Sequence, residues 1–403
     1  MELSEICELI VDCEHKTAPT QEDGYPSIRT PNIGRGYFIL DDVNRVSEET
    51  YQYWTRRAVP QPGDLIMARE APVGNVAMIP VGLRPCLGQR TLLIRPDHSK
   101  VDSAFLSYFL NGPHGQALIH AKTNGVTVPH LNMKDVRTMD LPALPPLTVQ
   151  RRIAGILSAY DELIENSQRR IQILETMARA LYREWFVFFR FPGHEKIPRI
   201  ASPLGEIPKG WEVKPFTEIA DVLSGGTPKT DVADHWDGEI PFFTPRDAPD
   251  YFYVLDTDKH VTELGLSKCA SALYPPDTVF ITARGTVGKV ALPSVPMAMN
   301  QSCYALQGKS GVSQRYLFSM ILEQVSYLKT NTGGATFGTI VVDTFRRMQI
   351  VKPPSDVIAS FTSRVDALFE QMKTLRRQIQ NLRRTRDLLL PRLLSGQVEV
   401  KVN

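Results

Sequence analysis

Apolar residues recur in steps of four and three from Ile153 onward: Ile153, Leu157, Tyr160, Ile164, Ile171, Leu174, Ala178, Leu181 and Trp185, with Ser167 the one polar member of the series. The same series returns 208 positions later as Phe361, Val365, Leu368, Met372, Leu375, Ile379, Leu382, Leu389 and Leu393, interrupted at Arg386. A hydrophobic repeat of ~3.5 residues is the seam of a coiled coil. Each series starts just after a proline pair, Pro145-Pro146 and Pro353-Pro354, where the missing N–H costs a helix nothing. The second is expected to falter near Pro391. At ~1.5 Å per residue, a series of about 40 residues makes a rod of about 60 Å. That exceeds what one small domain needs, and it disfavours two separate helices each lying on its own domain. The first helix leaves one half of the chain for the other, and the second has only the first half to return towards, so the pair is predicted to run antiparallel.

The rest of the chain is patterned differently. Short β-prone stretches, DLIMA (64–68), GNVAMIP (74–80) and RTLLIRP (90–96), then TVFITA (278–283), GKVALP (288–293) and SCYALQ (302–307), are separated by Gly and Pro turns. DSAFLSYFLNG (102–112) and SQRYLFSMILEQVSYL (313–328) read as amphipathic helices. A curved or barrel-like sheet with helices to one side is expected. These stretches also match between halves: GDLIMAREAPVGNVAMIP (63–80) with PDTVFITARGTVGKVALPS (276–294), Gln89 with Gln301, and NGVTVPHL (124–131) with GGATFGTI (333–340). The predicted fold is α+β, with two similar α/β modules separated by two long antiparallel coiled-coil helices in a pseudo-two-fold internal repeat. The boundaries run 1–144 for the first module, 145–190 for the first helix, 191–352 for a linker and the second module, and 353–403 for the second helix and tail.

Composition narrows the class of molecule. At 403 residues, 42% hydrophobic and 22% charged, the chain fits two or three globular domains and excludes a disordered tail or a disulfide scaffold. A net charge of only +2 means that any nucleic-acid surface must come from the arrangement of charge. Cys7, Cys13, Cys86, Cys269 and Cys303 are scattered without a Cys-x-x-Cys, which argues for free thiols and against structural zinc. The N-terminal MELSEICELIVDCEHK carries acids through its apolar stretch, and no run approaches the ~18 apolar residues of a membrane span. A cytoplasmic protein with no membrane partner is expected.

Catalytic signatures are missing as a group: there is no phosphate-binding Gly-rich loop ending in Gly-Lys-Ser/Thr, no Gly-x-Ser-x-Gly and no His-Glu-x-x-His. Cys7, Cys13 and His15 cluster locally without a fourth ligand, so no metal site is expected. What recurs instead is polar and basic loops. Arginine pairs bidentately with guanine in the major groove, and Gln or Asn does so with adenine. Arg29, Asn32, Arg69, Gln89, Arg246, Arg284 and Gln301 therefore suit base edges, with Arg69 and Arg284 following matched strands. Thr286 and Lys289 add donors beside Arg284, and the matched loops contribute Thr127, His130 and Thr336. Taken singly, each of these is equally an exposed turn residue. Arg383, Arg384 and Arg386 form either a solvated helix face or a surface for phosphate or a partner.

The order of module, Pro-Pro-led helix, second module and second helix resembles the DNA-specificity subunit of type I restriction–modification enzymes. The resemblance spans essentially the whole chain and rests on GEIPKGWEVKPFTEIADVLSGGTPKT (205–230), TARGTVGKV (282–290), NGVTVPHLNMKDV (124–136), LYREWFVFFRFPG (181–193) and LLLPRLLSGQVEV (388–400). It implies that each module is a target-recognition domain reading one half of a bipartite, asymmetric DNA site, with the helices as a ruler. It further implies a non-catalytic chain that binds no cofactor itself. S-adenosylmethionine would sit on two modification (methyltransferase) subunits that methylate adenine, while restriction subunits cut DNA with ATP and Mg. The first module departs from the family pattern: LSEICELIVDCEHKTAP stands where the second has Ser-Gly-Gly-Thr-Pro at 224–228. The alternative is a coiled-coil scaffold joining non-DNA partners.

Overall fold

The computed structural model describes residues 1–123, 125, 129–331 and 338–400. The chain divides into two compact units, Met1–Ile164 with Leu382–Asn403, and Glu165–Asn381. In chain order the first holds β1 (Cys7–Asp12), β2 (Tyr25–Ile28), β3 (Arg45–Val46), α1 (Glu48–Trp54), β4 (Leu65–Ala68), β5 (Val76–Met78), β6 (Cys86–Leu87), β7 (Thr91–Pro96), α2 (Ser103–Asn111), α3 (Pro113–Ala121), α4 (Met133–Arg137) and the start of α5 (Leu147–Tyr182).

Strand β7 lies inside an antiparallel sheet of order β1-β7-β4-β5, with Ile94 opposite Ile10 and Leu93 opposite Ile66. Side chains alternate across a strand, so its continuous apolar run requires cover on both faces. Leu92 and Ile94, with Leu65 and Met67, pack on Phe105, Leu106, Phe109 and Leu110 of α2. Leu93, with Ile66 and Ala77, packs on Ile28 and Leu87 of a second sheet, β3-β2-β6, in which β2 and β6 run parallel. The strands are thus divided between two sheets that share a core, where one curved or barrel-like sheet is expected from the sequence; the small sheet supplies the second cover. Fully burying each such Leu or Ile contributes roughly 1.5–3 kcal/mol.

The second unit repeats the scheme with β8 (Arg199–Ser202), β9 (Gly205–Pro208), β10 (Glu212–Pro215), α6 (Phe216–Ile219), β11 (Ala220–Ser224), β12 (Trp236–Phe243), β13 (Tyr253–Val254), β14 (His260–Val261), α7 (Glu263–Ser267), β15 (Val279–Thr282), β16 (Val290–Pro293), β17 (Ala298–Met299), β18 (Cys303–Gly308), α8 (Gln314–Thr330), α9 (Val342–Arg347), β19 (Gln349–Lys352) and most of α10 (Ser355–Leu394). Sheet β11-β18-β15-β16-β13 corresponds to β1-β7-β4-β5 with one added edge strand, and β14-β12-β17 corresponds to β3-β2-β6, parallel pair included. Helix α8 covers β15, β16 and β18, as α2 covers the first sheet. Ser313 caps it by accepting from the Tyr316 amide at 3.2 Å.

Helices α5 and α10, of 36 and 40 residues, begin at or just past the proline pairs. Within the second unit Tyr182 and Trp185 meet Phe361, with ring centroids about 6 Å apart. Within the first, Asp161 meets Arg386 while Ile153 and Leu157 share a core with Leu393. In each unit the two helices therefore run antiparallel. Ile153, Leu157, Ile164, Ile171, Leu174, Phe361, Val365, Met372, Leu375 and Ile379 are buried; Tyr160, Leu181, Leu368, Leu382 and Leu389 are half-buried. Next to Leu368 it is Phe369 that enters the core, against Phe252 and Phe318. α10 does not falter at Pro391 but continues to Leu394. Proline there forfeits one helical hydrogen bond near the helix end, and burial of Leu393 offsets it.

Arg386, the polar interruption of the second seam, is not on a solvated face. It is half-buried, and its Nη1 lies 2.5 Å from Asp161 Oδ1, while Asp161 Oδ2 accepts from the Tyr108 hydroxyl at 2.6 Å. Burial, followed by the Asp161 contact, pushes the Tyr108 phenol above its ordinary pKa. Such a polar pair in an apolar seam pins helix register. Arg383 and Arg384 are exposed.

Candidate nucleic-acid interface

In the second unit the loops after β11, β12, β13, β15 and β17 converge on one cleft. β12 ends at Phe243, and Asp247 closes the next turn by accepting from the Thr244 amide at 2.8 Å and its hydroxyl at 2.6 Å, leaving Arg246 exposed. After β15, Gly288 donates to Thr282 O at 2.8 Å and adopts φ 81°, so the loop turns back sharply. The Thr282 hydroxyl donates to Thr286 O and accepts from the Lys289 amide, holding Arg284 at the tip. Thr286 Oγ1 in turn donates to Pro245 O at 3.2 Å, tying the two loops together. After β17, Gln301 is exposed and accepts from the Thr227 hydroxyl.

The cleft so enclosed measures about 690 Å³; Thr227, Trp236, Arg246, Lys259, Arg284 and Gln301 are among the residues that line it. Asp247 and Asp258 sit at the same wall, so the surface is mixed in sign, with three cations to offer an acceptor-rich ligand. Lys259 Nζ lies 5.5 Å from the Trp236 ring centre. Lys289 falls outside the lining and pairs with Asp250 at 2.5 Å.

The first unit is arranged otherwise. Arg29 is exposed, and with Gln89 it borders a small hollow of about 20 Å³ beside Thr17, Thr20 and Ser27. Gln89 Nε2 donates to His15 O at 3.2 Å. Asn32 serves the backbone: Oδ1 accepts from the Arg29 amide at 3.1 Å and Nδ2 donates to Ile39 O at 3.1 Å. His130 is half-buried and forms an isolated bridge with Glu70. Arg69 points inward, its side chain only 16% exposed, with Nη1 2.8 Å from Asp12 Oδ2 and Nε donating to Leu131 O at 2.8 Å. Thr127 and Thr336 lie outside the described residues.

Backbone hydrogen bonds set the true correspondence between modules. Gly74 donates to Ala68 O as Gly288 donates to Thr282 O, and Arg69 N donates to Arg90 O as Ala283 N donates to Ser302 O. Arg69 is therefore the counterpart of Ala283, and Arg284 is the counterpart of Glu70. Matching the two Ala-Arg pairs by sequence placed the arginines one residue out of register. Gln89 and Gln301 do correspond, since Gly88 N donates to Ile28 O as Asn300 N donates to Phe243 O. Sequence reasoning missed Trp236, Lys259 and Thr227 as cleft residues. Thr227 had a signal in its Gly-Gly-Thr-Pro turn; Trp236 and Lys259 reach the cleft only through the pairing of β12 with β14.

Burial pushes the Cys7 and Cys86 thiols up to about 12, so neither supplies a thiolate near neutral pH. Among the described residues no group of three His, Cys, Asp or Glu side chains is placed to hold a metal, and no helix is long and apolar enough to cross a membrane.

The family described as "Type I restriction modification DNA specificity domain" matches residues 1–176 and 208–381. The type I restriction enzyme MjaIX specificity subunit of Methanocaldococcus jannaschii is 26% identical, over 90% of this chain and 84% of that protein. The HindI specificity subunit of Haemophilus influenzae is 24% identical, over 93% and 95%. In structure the chain is similar to the type I restriction–modification S subunit from M. genitalium, with a TM-score of 0.64 over 100% of this chain and 96% of that one; at 15% identity this likeness concerns the fold.

Proposed function

The chain belongs to the type I restriction–modification DNA specificity family, and from that premise we propose that its two modules each read one half of a split DNA duplex site, with the paired helices setting the unread spacer. The observation that carries this reading is the turn bearing Gln89 in one module and Gln301 in the other. It stands at the same backbone position in both, and in the second it borders an open cleft with Arg246 and Arg284. Glutamine matches adenine and arginine matches guanine at the major-groove edge, while Lys259 suits the flanking phosphates. Around that shared turn the modules differ: Arg29 stands for Thr244, Glu70 for Arg284 and Arg90 for Ser302. Two different readers give an asymmetric site.

On this reading the chain holds DNA and performs no chemistry. Adenine in a duplex is reached by a methyltransferase only after it is rotated out of the stack, a step assigned to two modification subunits carrying S-adenosylmethionine. Cleavage is assigned to restriction subunits that use ATP and Mg, and the assembly works where the chromosome is, in the cytoplasm. Exchanging residues 200–352 for the corresponding module of a relative is expected to replace one half-site and keep the other half and the spacer, as read from methylated adenines in host DNA. A changed spacer, or a change in both halves, would sink the modular reading.

A further inference from the structure

The register between modules relocates the cation of the first reading surface. In the second module Arg284 and Ser302 both line the cleft, joined through the Arg284 and Ala283 amides that donate to Ser302 O. The first module places Glu70 and Arg90 at those two positions, with the Arg69 amide donating to Arg90 O at 2.8 Å. The loop tip that is basic in one module is thus acidic in the other, and the guanidinium has moved across to the facing turn. We infer that Arg90, aimed by Glu70, is the guanine-reading residue of the first module and the functional counterpart of Arg284, in place of the inward-turned Arg69.

Three observations carry this. First, Arg90 directly follows Gln89, whose counterpart Gln301 is a cleft residue. Second, its side chain is 62% exposed, and among the described residues it is held at one end, by Nη1 2.6 Å from Glu70 Oε2. A guanidinium has five donors in a planar fork, so one carboxylate contact orients it and leaves the other donors for the O6 and N7 of a guanine. Arg69, by contrast, spends Nε and Nη1 on Leu131 O and Asp12 inside the module. Third, Arg90 adopts φ 62°, a left-handed conformation that is strained for a residue with a side chain, although glycine would fit the turn without strain. Glu70 is a positioning residue here, and its partner is duplex DNA with guanine in the half-site of the first module.

This inference rests on the DNA-reading function, and its test separates the two. The full chain is co-expressed with its modification subunits, and methylated adenines are mapped for wild type, Arg90→Gly, Arg90→Lys, Glu70→Gln and Arg284→Ala. Glycine suits φ 62°, so Arg90→Gly removes the guanidinium without a folding penalty, which an unchanged melting temperature of the chain checks. The expected result is that Arg90→Gly loses about tenfold or more of its preference for guanine at one position, in the half-site that Arg284→Ala leaves intact. Arg90→Lys, which lacks the fork, is expected to behave like glycine at that position, and Glu70→Gln is expected to give a smaller loss there. An unchanged motif in Arg90→Gly, or a uniform drop at all sites as for a phosphate contact, overturns the inference. If Arg284→Ala alters one half-site and Arg90→Gly none, the inference alone fails. If methylation does not depend on the wild-type chain, the DNA-reading function fails and this inference with it.

Discussion

Replacing Arg315 by alanine is expected to destabilise the second unit by about 3 kcal/mol, the range for removing one member of a buried ion-pair network. The Arg315 side chain is 9% exposed, and its Nη1 reaches Asp277 Oδ1 at 2.6 Å and also the Tyr253 hydroxyl, while Nη2 reaches Glu370 Oε1 at 2.7 Å. Tyr253 in turn donates to Asp277 Oδ1 at 2.9 Å, and burial holds its phenol protonated well above the ordinary value. The network joins α8, the turn before β15, β13 and α10, so it fastens the second module to its own length of helix. Alanine would leave Lys373 as the cation facing both carboxylates, 3.3 Å from Asp277 and 3.2 Å from Glu370, with Tyr253 still donating to Asp277. Hydrogen exchange of the full chain is the appropriate measurement, because two units need not unfold together. Amides of α8 are expected to exchange about a hundredfold faster, with those of α2 unchanged. Unchanged α8 exchange would mean that Lys373 suffices.

The second large effect concerns recognition. Arg284→Ala is expected to lower discrimination at one base position by roughly 10- to 100-fold, which corresponds to the ~1–3 kcal/mol of a bidentate arginine–guanine pair. The other half-site should keep its preference, because the first module has its own loops. Arg284 is exposed at the tip of a loop held by Thr282, Thr286 and Gly288 through hydrogen bonds that do not involve its guanidinium. Its removal should leave the fold intact, which thermal melting checks. Equal weakening at every sequence would assign Arg284 to a phosphate instead.

Local patterns predicted much of this architecture. The two seams followed from a ~3.5-residue period and a proline pair at each start, and the buried strands followed from apolar runs such as TLLIRP. What failed was whatever depended on a distant partner. Arg69 turns inward because Asp12, 57 residues away, lies on the adjacent part of the module. Arg386 joins Asp161 across 225 residues, and neither charge is informative without the other. The one-residue offset between Arg69 and Arg284 is invisible in two strings that both read Ala-Arg; it emerges only from which amide meets which carbonyl. Lys259 and Trp236 enter the cleft through strand pairing, which a single sequence does not specify.

The choice of DNA sequence is expected to lie with this chain alone. Mapping methylated adenines across host DNA with the modification subunits present, with and without the chain, decides it. A split, asymmetric motif is expected only when the chain is present. Methylation by the same subunits at an unchanged motif in its absence would place the choice elsewhere.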